Sequence, residues 1–213
     1  MNQLLSKVDA DILFDKEISV KNKYIILKAV REAYSLVNNL ENDQRLFQWP
    51  VGKNYLNFIK PLAVEFELRN LIDEGKLNFD YRIEPNSIDN CKHIEIIAGK
   101  CIMTVSQVQS AEARPRKAVF RDNLCLSRQF AFDFGPDFRV KWNSGSYYLL
   151  LTHGYNSITP KHVSLGFPEA YGKGWIKRVD LTKLPVLLDF PDEEVIEEEK
   201  LVKFKKHIKE LES

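Results

Sequence analysis

The chain has 213 residues, of which 44% are hydrophobic and 11% aromatic, so it can bury the core of one large domain without disulfides or a structural metal. Its 31 Lys and Arg against 30 Asp and Glu leave a formal net charge of +1. This balance excludes a global electrostatic attraction to nucleic acid or to an anionic membrane, so any such binding must come from a local patch.

The cysteines and the N-terminus give the expected cellular setting. Cys91, Cys101 and Cys125 are odd in number and form no CxxC pair, which disfavours a disulfide framework and a structural zinc site. The N-terminus lacks the apolar run of a signal peptide, and no stretch approaches the ~18 consecutive apolar residues of a membrane span. We therefore expect reduced thiols and a cytoplasmic protein with no membrane contact.

Two amphipathic helices are predicted at the start of the fold. Ser19 is placed to cap the first, whose apolar residues recur at three- and four-residue steps from Val20 to Val37. The second has an apolar stripe from Ile59 to Ile72, with Pro61 in its first turn and Gly75 as its stop. An asparagine pair after Val37 should end the first helix, and residues 49–52 are predicted to form a loop.

From residue 79 onward the hydrophobic period changes from that of a helix to two, the period of half-buried strands. The predicted strands, separated by Gly, Pro and Asn turns, are Phe79–Glu84, His93–Ile97, Cys101–Val108, Lys117–Phe120, Phe130–Phe134, Tyr147–Thr152, Val163–Leu165 and Ile176–Asp180. Helices followed by strands predict one α+β domain, residues 1–190, with N-terminal helices packed on a mostly antiparallel β-sheet.

Residues 191–213 are predicted to form a C-terminal amphipathic helical arm. Acidic residues fill its beginning and lysines its end, the order that the helix macrodipole favours. Leu201, Phe204, Ile208 and Leu211 follow a 3-4-3 spacing, which indicates one narrow apolar seam. This seam either docks on the core or contacts a second chain or a partner helix.

The predicted hairpin from His93 to Ser110 carries polar residues where a core should be apolar. In a nuclease of the PD-(D/E)XK type, an acid ends one strand and Glu-x-Lys follows on the next, so that two carboxylates hold a divalent metal. Glu84 ends one predicted strand and Glu95 lies on the next, but Gln107 stands near the position of the second motif. Glu84, Glu95 and Gln107 are therefore candidate catalytic residues of a divergent nuclease, for which Mg²⁺ would be the cofactor.

Two further polar residues end apolar strands. Strand alternation places Gln107 on the apolar face of its strand, where its amide needs hydrogen-bond partners. His153 precedes a glycine turn and is a candidate general base, or a metal ligand if it meets His162 and the His93/Glu95 pair. No dedicated metal site or other cofactor is predicted, since the sequence contains no Walker loop, dinucleotide fingerprint, Gly-x-Ser-x-Gly elbow or HExxH.

The stretch SAEARPRKAVFRDN, residues 110–123, is the most basic local segment. Its cations, with one that follows shortly after, are Arg114, Arg116, Lys117, Arg121 and Arg128. On an exposed edge strand these side chains would follow a phosphate backbone, so they are candidate nucleic-acid-binding residues. The alternative is a solvated turn whose arginines pair with carboxylates elsewhere.

Five phrases of the sequence, GKCIMTVSQV, PRKAVFR, LLLTHGYN, SLGFP and GWIKRVDL, resemble those of an uncharacterised bacterial family found in Gram-positive bacteria and their mobile elements. The resemblance covers Leu56 to Leu181. It implies a single α+β domain and supplies no catalytic residue to carry over.

Three functions follow as hypotheses. The first is binding of nucleic acid, or of a nucleic-acid-handling partner, through the Arg114–Arg128 segment. The second is the divergent metal-dependent nuclease. The third is a protein-interaction module, such as an antitoxin or inhibitor, whose acidic segment Asp189–Glu199 meets a basic partner protein.

Overall fold

The computed structural model of the protein describes residues 7–86, 90–129, 146–154, 157–169 and 174–184, together with Phe204. Within these ranges the helices are α1 (Lys7–Glu17), α2 (Val20–Asp43), α3 (Arg45–Gln48), α4 (Pro50–Asp73) and α5 (Val119–Gln129), followed by a 3₁₀ turn at Leu181–Lys183. The strands are β1 (Asp80–Pro85), β2 (Lys92–Ala98), β3 (Cys101–Gln107), β4 (Tyr147–His153), β5 (Val163–Pro168) and β6 (Trp175–Asp180).

The six strands form one sheet in chain order. All neighbouring pairs are antiparallel except β3 and β4, which run parallel, with Cys101 opposite Tyr147 and Gln107 opposite His153. A parallel pair needs a long crossover connection, and α5 lies in that connection. The predicted α+β class, with N-terminal helices before a mostly antiparallel sheet, is confirmed.

One face of the sheet is covered by α1, α2 and α4, which bury the main core with it. The Ser19 side chain caps α2 as predicted, accepting a hydrogen bond from the Asn22 N–H at 3.1 Å. The helix continues past the asparagine pair because Leu36, Val37 and Leu40 extend its buried stripe. Helix α1, which the sequence analysis did not predict, adds its own buried residues to this core.

Helix α4 begins at Pro50 rather than near Ile59, so Pro61 lies inside the helix. Pro50 takes the first turn, in which a missing N–H costs nothing. The predicted loop at residues 49–52 is instead a close contact between helices: a Cβ on Gly52 would lie 1.9 Å from the Leu46 carbonyl oxygen. Gly75 follows the helix with φ +70°, which fits its predicted role as the stop.

Helix α5 packs on the opposite face of the sheet and forms a second, smaller core. Its buried side chains and their partners on β3 and β4 are Leu124, Cys125, Ile102, Tyr148 and Leu150. Both faces of the central strands are therefore covered, which explains why β3 and β4 read as nearly continuous apolar runs.

The predicted strand Lys117–Phe120 is wrong, because the chain enters α5 at Val119. Phe120 and Leu124 lie one helical turn apart and pack on the same cluster, so the period of this segment is that of a helix. The other predicted strands within the described ranges are confirmed with small shifts of their ends. Strand Phe130–Phe134 and, apart from Phe204, the C-terminal arm lie outside the described residues.

None of the helices in the described ranges combines the length and the apolar character that crossing a membrane requires. All three cysteines are free thiols: Cys91 is exposed, while Cys101 and Cys125 are buried. Burial raises the pKa of Cys101 to about 12, helped by the charge of Glu17, and burial also raises that of Cys125 to about 11. The two buried thiols are therefore unreactive at neutral pH.

Candidate nucleic-acid interface

Two of the predicted catalytic carboxylates lie on the face of the sheet that α5 covers. In the β1–β2 register Glu84 lies opposite His93, two residues from Glu95 along β2. The His93 ring stacks on Phe120 of α5 with centroids 3.9 Å apart, which shows that His93 faces α5. Glu84, His93 and Glu95 thus share one face.

The other two predicted catalytic residues lie on the opposite face. Gln107 and His153 are neighbours in the β3–β4 register, and His153 contacts Tyr34 of α2. Gln107 thus lies on the apolar face that α1, α2 and α4 cover, as strand alternation predicts. The structure brings Gln107 to His153, but it does not bring either residue to Glu84 or Glu95.

Glu95 is buried and already charge-paired. Its Oε2 accepts hydrogen bonds from Nε and Nη2 of Arg82 at 2.9 and 2.5 Å, and its Oε1 lies 3.4 Å from His93 Nε2. Burial alone would raise the pKa of Glu95, but the His93 and Arg82 side chains lower it overall. Since Arg82 also contacts Glu84 at 3.2 Å, a metal ion could bind these carboxylates only by displacing that guanidinium.

No group of three or more His, Cys, Asp or Glu side chains converges as a metal site in the described ranges. His93 lies against α5 and His153 against α2, on opposite faces of the sheet. His162 lies just before β5, and its carbonyl oxygen accepts from the Gly154 N–H at 3.1 Å. Burial lowers the pKa of His162, although the charges of Asp180 and Glu112 oppose that shift.

The segment of candidate nucleic-acid-binding residues divides into structural and surface side chains. Arg114 is structural: its Nη1 donates to the carbonyl oxygens of Glu169 and Gly174, both at 3.0 Å. Its guanidinium also lies 5.8 Å from the centre of the Trp175 ring. Arg114 therefore ties the segment to the ends of β5 and β6 and is not available to bind a ligand.

Arg116, Lys117 and Arg121 form the surface group, which we call the α5 cationic surface. Arg116 and Lys117 are exposed at the entry to α5. Arg121 Nη2 donates to the Arg116 carbonyl oxygen at 2.9 Å, and its guanidinium lies 4.8 Å from the Phe120 ring centroid. Arg128 lies in the last turn of α5, and its side chain is outside the described residues.

The sheet opens next to this surface. β2 pairs with β3 only from Ile96–Met103 to Ala98–Cys101, so the first half of β2 separates from the second half of β3. Beyond the paired stretch, the Thr104 hydroxyl shares a 2.7 Å hydrogen bond with the Tyr148 hydroxyl. We call this gap the β2–β3 opening.

Glu65 lies on α4, which covers the face of the sheet opposite to α5. Burial raises the pKa of Glu65 to about 8, and the positive charge of Arg121 counters this only in part. The residue as a whole is half-buried, and burial of its carboxyl is the main cause of the raised pKa. Glu65 and Arg121, which lie on helices that cover opposite faces, are therefore close enough to interact.

A buried hydrogen-bonded group closes the carboxyl ends of β3 and β4. The Tyr34 hydroxyl donates to the Gly154 carbonyl oxygen at 2.5 Å and lies 2.9 Å from His153 Nδ1. Because a hydroxyl has one proton, this geometry assigns the imidazole proton to Nδ1, which donates to Tyr34. Burial lowers the pKa of His153 to about 3, so the imidazole is neutral.

Gln107 and Lys60 complete this buried group. Burial raises the pKa of Tyr34 to about 12, while the nearby Gln107 amide lowers it slightly. The amide nitrogen of Gln107 approaches without a well-aligned hydrogen bond to any described residue. Lys60 Nζ donates to the Ser157 carbonyl oxygen at 2.9 Å and lies 5.2 Å from the Tyr34 ring centre. The group therefore joins both helices to the end of the sheet.

Comparison with protein-family models, with curated protein sequences and with solved structures gives no match to this chain. The candidate sites therefore rest on the geometry alone.

Sequence reasoning missed the residues that act across elements. Tyr34 lies within the apolar stripe predicted from Val20 to Val37, and Lys60 was not singled out, because periodicity shows on which side of a helix a residue lies and not which groups its polar atoms contact. Glu65 was not among the predicted site residues. The pKa of Glu65 is raised by burial and partly lowered by the charge of Arg121, and no local pattern encodes either effect.

Proposed function

We propose that this is a cytoplasmic protein that binds nucleic acid through its phosphate backbone, using the α5 cationic surface. The observation that carries the proposal is a contrast in pairing. Arg82 and Arg178 contact carboxylates within 4.0 Å. Arg116 and Lys117 are exposed and form no ion pair with any described residue, whereas the half-buried Arg121 interacts with the Glu65 carboxyl. Unpaired cations in a near-neutral protein leave a local positive field that can attract a polyanion.

The geometry of α5 adds two features that suit a phosphate. The exposed Arg116 and Lys117 lie beside the first turn of a helix, whose free N–H groups and positive dipole end favour anions. Arg121 is fixed by the Arg116 carbonyl oxygen and the Phe120 ring, so its planar fork loses little freedom on binding. Backbone contacts of this kind position a nucleic acid but carry no sequence information, so we expect binding without sequence preference.

The direct test is fluorescence anisotropy with labelled single- and double-stranded DNA and RNA at low salt. Replacing Arg116 and Lys117 by Ala together should weaken binding by about tenfold, the scale of one or two lost charge-assisted contacts. Arg121 is left in place because its side chain also holds the loop. The matched control, Lys21→Ala with Arg31→Ala, removes the same charges from exposed positions on α2 and should leave binding unchanged. Equal weakening by both pairs would count against a local site.

A metal-dependent nuclease is the second candidate, and the β2–β3 opening favours it. Glu65 has a raised pKa there, and Glu95 begins the unpaired part of β2. A carboxyl that is protonated at neutral pH becomes a metal ligand by releasing its proton to the divalent cation. Gln107 carries no charge and faces the other side of the sheet from Glu95, so it is the weaker candidate, while a metal ion at Glu95 would have to displace the Arg82 guanidinium.

The nuclease is tested by incubating the same oligonucleotides with Mg²⁺ or Mn²⁺. Cleavage that Glu65→Gln abolishes, while circular dichroism shows an intact fold, would support it. Cleavage that both Glu65→Gln and Glu95→Gln leave unchanged would remove these carboxylates from the reaction. If oligonucleotides bind but remain whole, the protein is a binding protein only.

A further inference from the structure

The first half of α4 is apolar on two sides. One side packs in the main core, and the other presents Val51, Tyr55 and Phe58 to solvent, with Phe58 76% and Tyr55 58% exposed. Leu46 and Trp49 extend this surface at 66% and 51%. We call these five residues the α4 patch. A helix that is apolar all round is normally covered on both sides, and a contiguous group of large apolar side chains marks an interaction site.

The same stripe of α4 is already covered at its other end. Tyr55 and Phe66 are separated by 66 − 55 = 11 positions, so at ~100° per residue they lie within about 20° of each other around the helix. The ring of Phe66 contacts that of Phe204, with centroids 4.9 Å apart, and Phe204 is fully buried. The C-terminal segment is thus anchored on α4 at Phe66, in line with the uncovered patch.

Charge selects which part of the chain fits the patch. From Gln44 to Val64 the sequence contains no Asp or Glu, and the exposed Arg45 is positive, while Lys53 pairs with Glu41 at 2.9 Å and Lys60 is buried. Two patches facing each other would bring like charges together, which disfavours a second copy of this chain as the occupant. The stretch just before Phe204 is strongly acidic, and its acids are Asp192, Glu193, Glu194, Glu197, Glu198 and Glu199.

We propose that residues 191–203 of the same chain dock on the α4 patch, running from Phe204 toward the start of α4. Glu193 precedes Phe204 by 204 − 193 = 11 positions, the same offset as Tyr55 from Phe66, and at 1.5 Å per helical residue both offsets span about 16 Å. Ile196 and Leu201 would then cover apolar side chains, while the acids lie at the positive end of the α4 dipole. Because Phe204 tethers the segment, a weak contact suffices.

This proposal does not rest on nucleic-acid binding, because the α4 patch and the α5 cationic surface lie on helices that cover opposite faces of the sheet. It also gives the acidic segment a binding surface within the chain itself, the α4 patch. A separate basic partner protein is therefore not needed to explain those charges.

The test uses the full chain with Cys91→Ser, which leaves only the two buried thiols. Cysteines are introduced at Asn54, an exposed neighbour of the patch, and at Glu193, and a short bis-maleimide is added. We expect a cross-link within one chain, located by peptide mass spectrometry. The matched pair, Asn54→Cys with Ile208→Cys, places the second thiol on the far side of Phe204 and should cross-link at least fivefold less.

A charge variant separates specific docking from chance collision. Arg45→Glu in the Asn54/Glu193 cysteine background should lower the yield severalfold, whereas Arg31→Glu on α2 should not change it. Equal yields for the Glu193 and Ile208 pairs, or no cross-link at either, would overturn the proposal. Cross-linked species of twice the chain mass as the main product would also overturn it, by making a second copy the occupant.

Discussion

The hydroxyl oxygen of Tyr34 lies 2.9 Å from Nδ1 of His153, a contact between residues 119 positions apart in the chain. It connects the middle of α2 to the last residue of β4, and the same hydroxyl donates to the carbonyl oxygen of Gly154. The contact fixes how the helical layer lies over the parallel strands. The His153 side chain is 0% exposed, and its burial keeps the imidazole neutral.

Tyr34→Phe should destabilise the fold by about 1–3 kcal/mol, because it leaves the Gly154 carbonyl and His153 Nδ1 buried without partners. Urea unfolding followed by circular dichroism measures the change. Tyr55→Phe is the control: that hydroxyl belongs to an exposed side chain, and its loss should change stability by less than about 0.5 kcal/mol. If the two variants have equal stability, the Tyr34–His153 contact contributes nothing.

Stability should be greatest between about pH 4.5 and 6.5. The folded pKa of Glu65 is about 8, above its ordinary 4.5, so the unfolded chain loses that proton first and stability falls as pH rises between these values. The folded pKa of His153 is about 3, below 6.5, so the unfolded chain takes up a proton first and stability falls as pH drops between them. Each limb has a slope of up to about 1.4 kcal/mol per pH unit.

Glu65→Gln isolates the alkaline limb. The variant should lose the fall in stability between about pH 6.5 and 8 while keeping the acid limb, since Gln does not titrate. Urea midpoints at half-unit pH steps provide the comparison. A wild-type protein whose midpoint is constant from pH 6.5 to 8 would show that the Glu65 carboxyl is not buried in the way described.

Arg82 and Glu95 should behave as one unit. Each single replacement by Met leaves a half-buried or buried charge without its main partner, and we expect a cost of about 1–3 kcal/mol. The double variant should be more stable than the sum of the two losses predicts, by at least about 1 kcal/mol. A double-mutant cycle in urea gives this coupling energy, and strict additivity would contradict the pairing.

Two glycines should respond very differently to alanine. A Cβ on Gly166 would lie 2.0 Å from the Lys177 carbonyl oxygen, so Gly166→Ala must displace β6 from β5 and should cost several kcal/mol or prevent folding. Gly75 has no atom near its Cβ position, and only its φ of +70° opposes a side chain. Gly75→Ala should therefore cost about 1 kcal/mol. Thermal unfolding of both variants distinguishes the two effects, and similar Tm values would refute this account.

The part of the fold that was predictable is the part with a clean local period. The strands from residue 79 onward are short alternating or continuously apolar segments between Gly, Pro and Asn turns, and Ser19 caps a helix whose stripe continues for several turns. Helix α5 was missed because Val119 and Phe120 are strand-type residues, although Phe120 and Leu124 follow the helical period. Pro61 misled in the same way, since a proline marks a first turn only where the preceding residues are not already helical.

The candidate sites were less predictable, because their geometry depends on register and distant contacts. Alternation correctly placed Gln107 on the apolar face, but only the pairing of β1, β2 and β3 shows that Glu95 points the other way. Arg114 counted as a surface cation. Its partners are carbonyl oxygens 55 and 60 positions away, a distance over which a single sequence carries no signal.

The salt dependence of nucleic-acid binding tests the central claim most directly. We predict that the logarithm of the association constant for a labelled oligonucleotide falls linearly with the logarithm of salt concentration, and that replacing Arg116 and Lys117 by Ala reduces that slope by about two, one per lost phosphate contact. The Lys21/Arg31 control should keep the wild-type slope. No binding at low salt, or the same slope in all three proteins, would contradict the assignment of function to the α5 cationic surface.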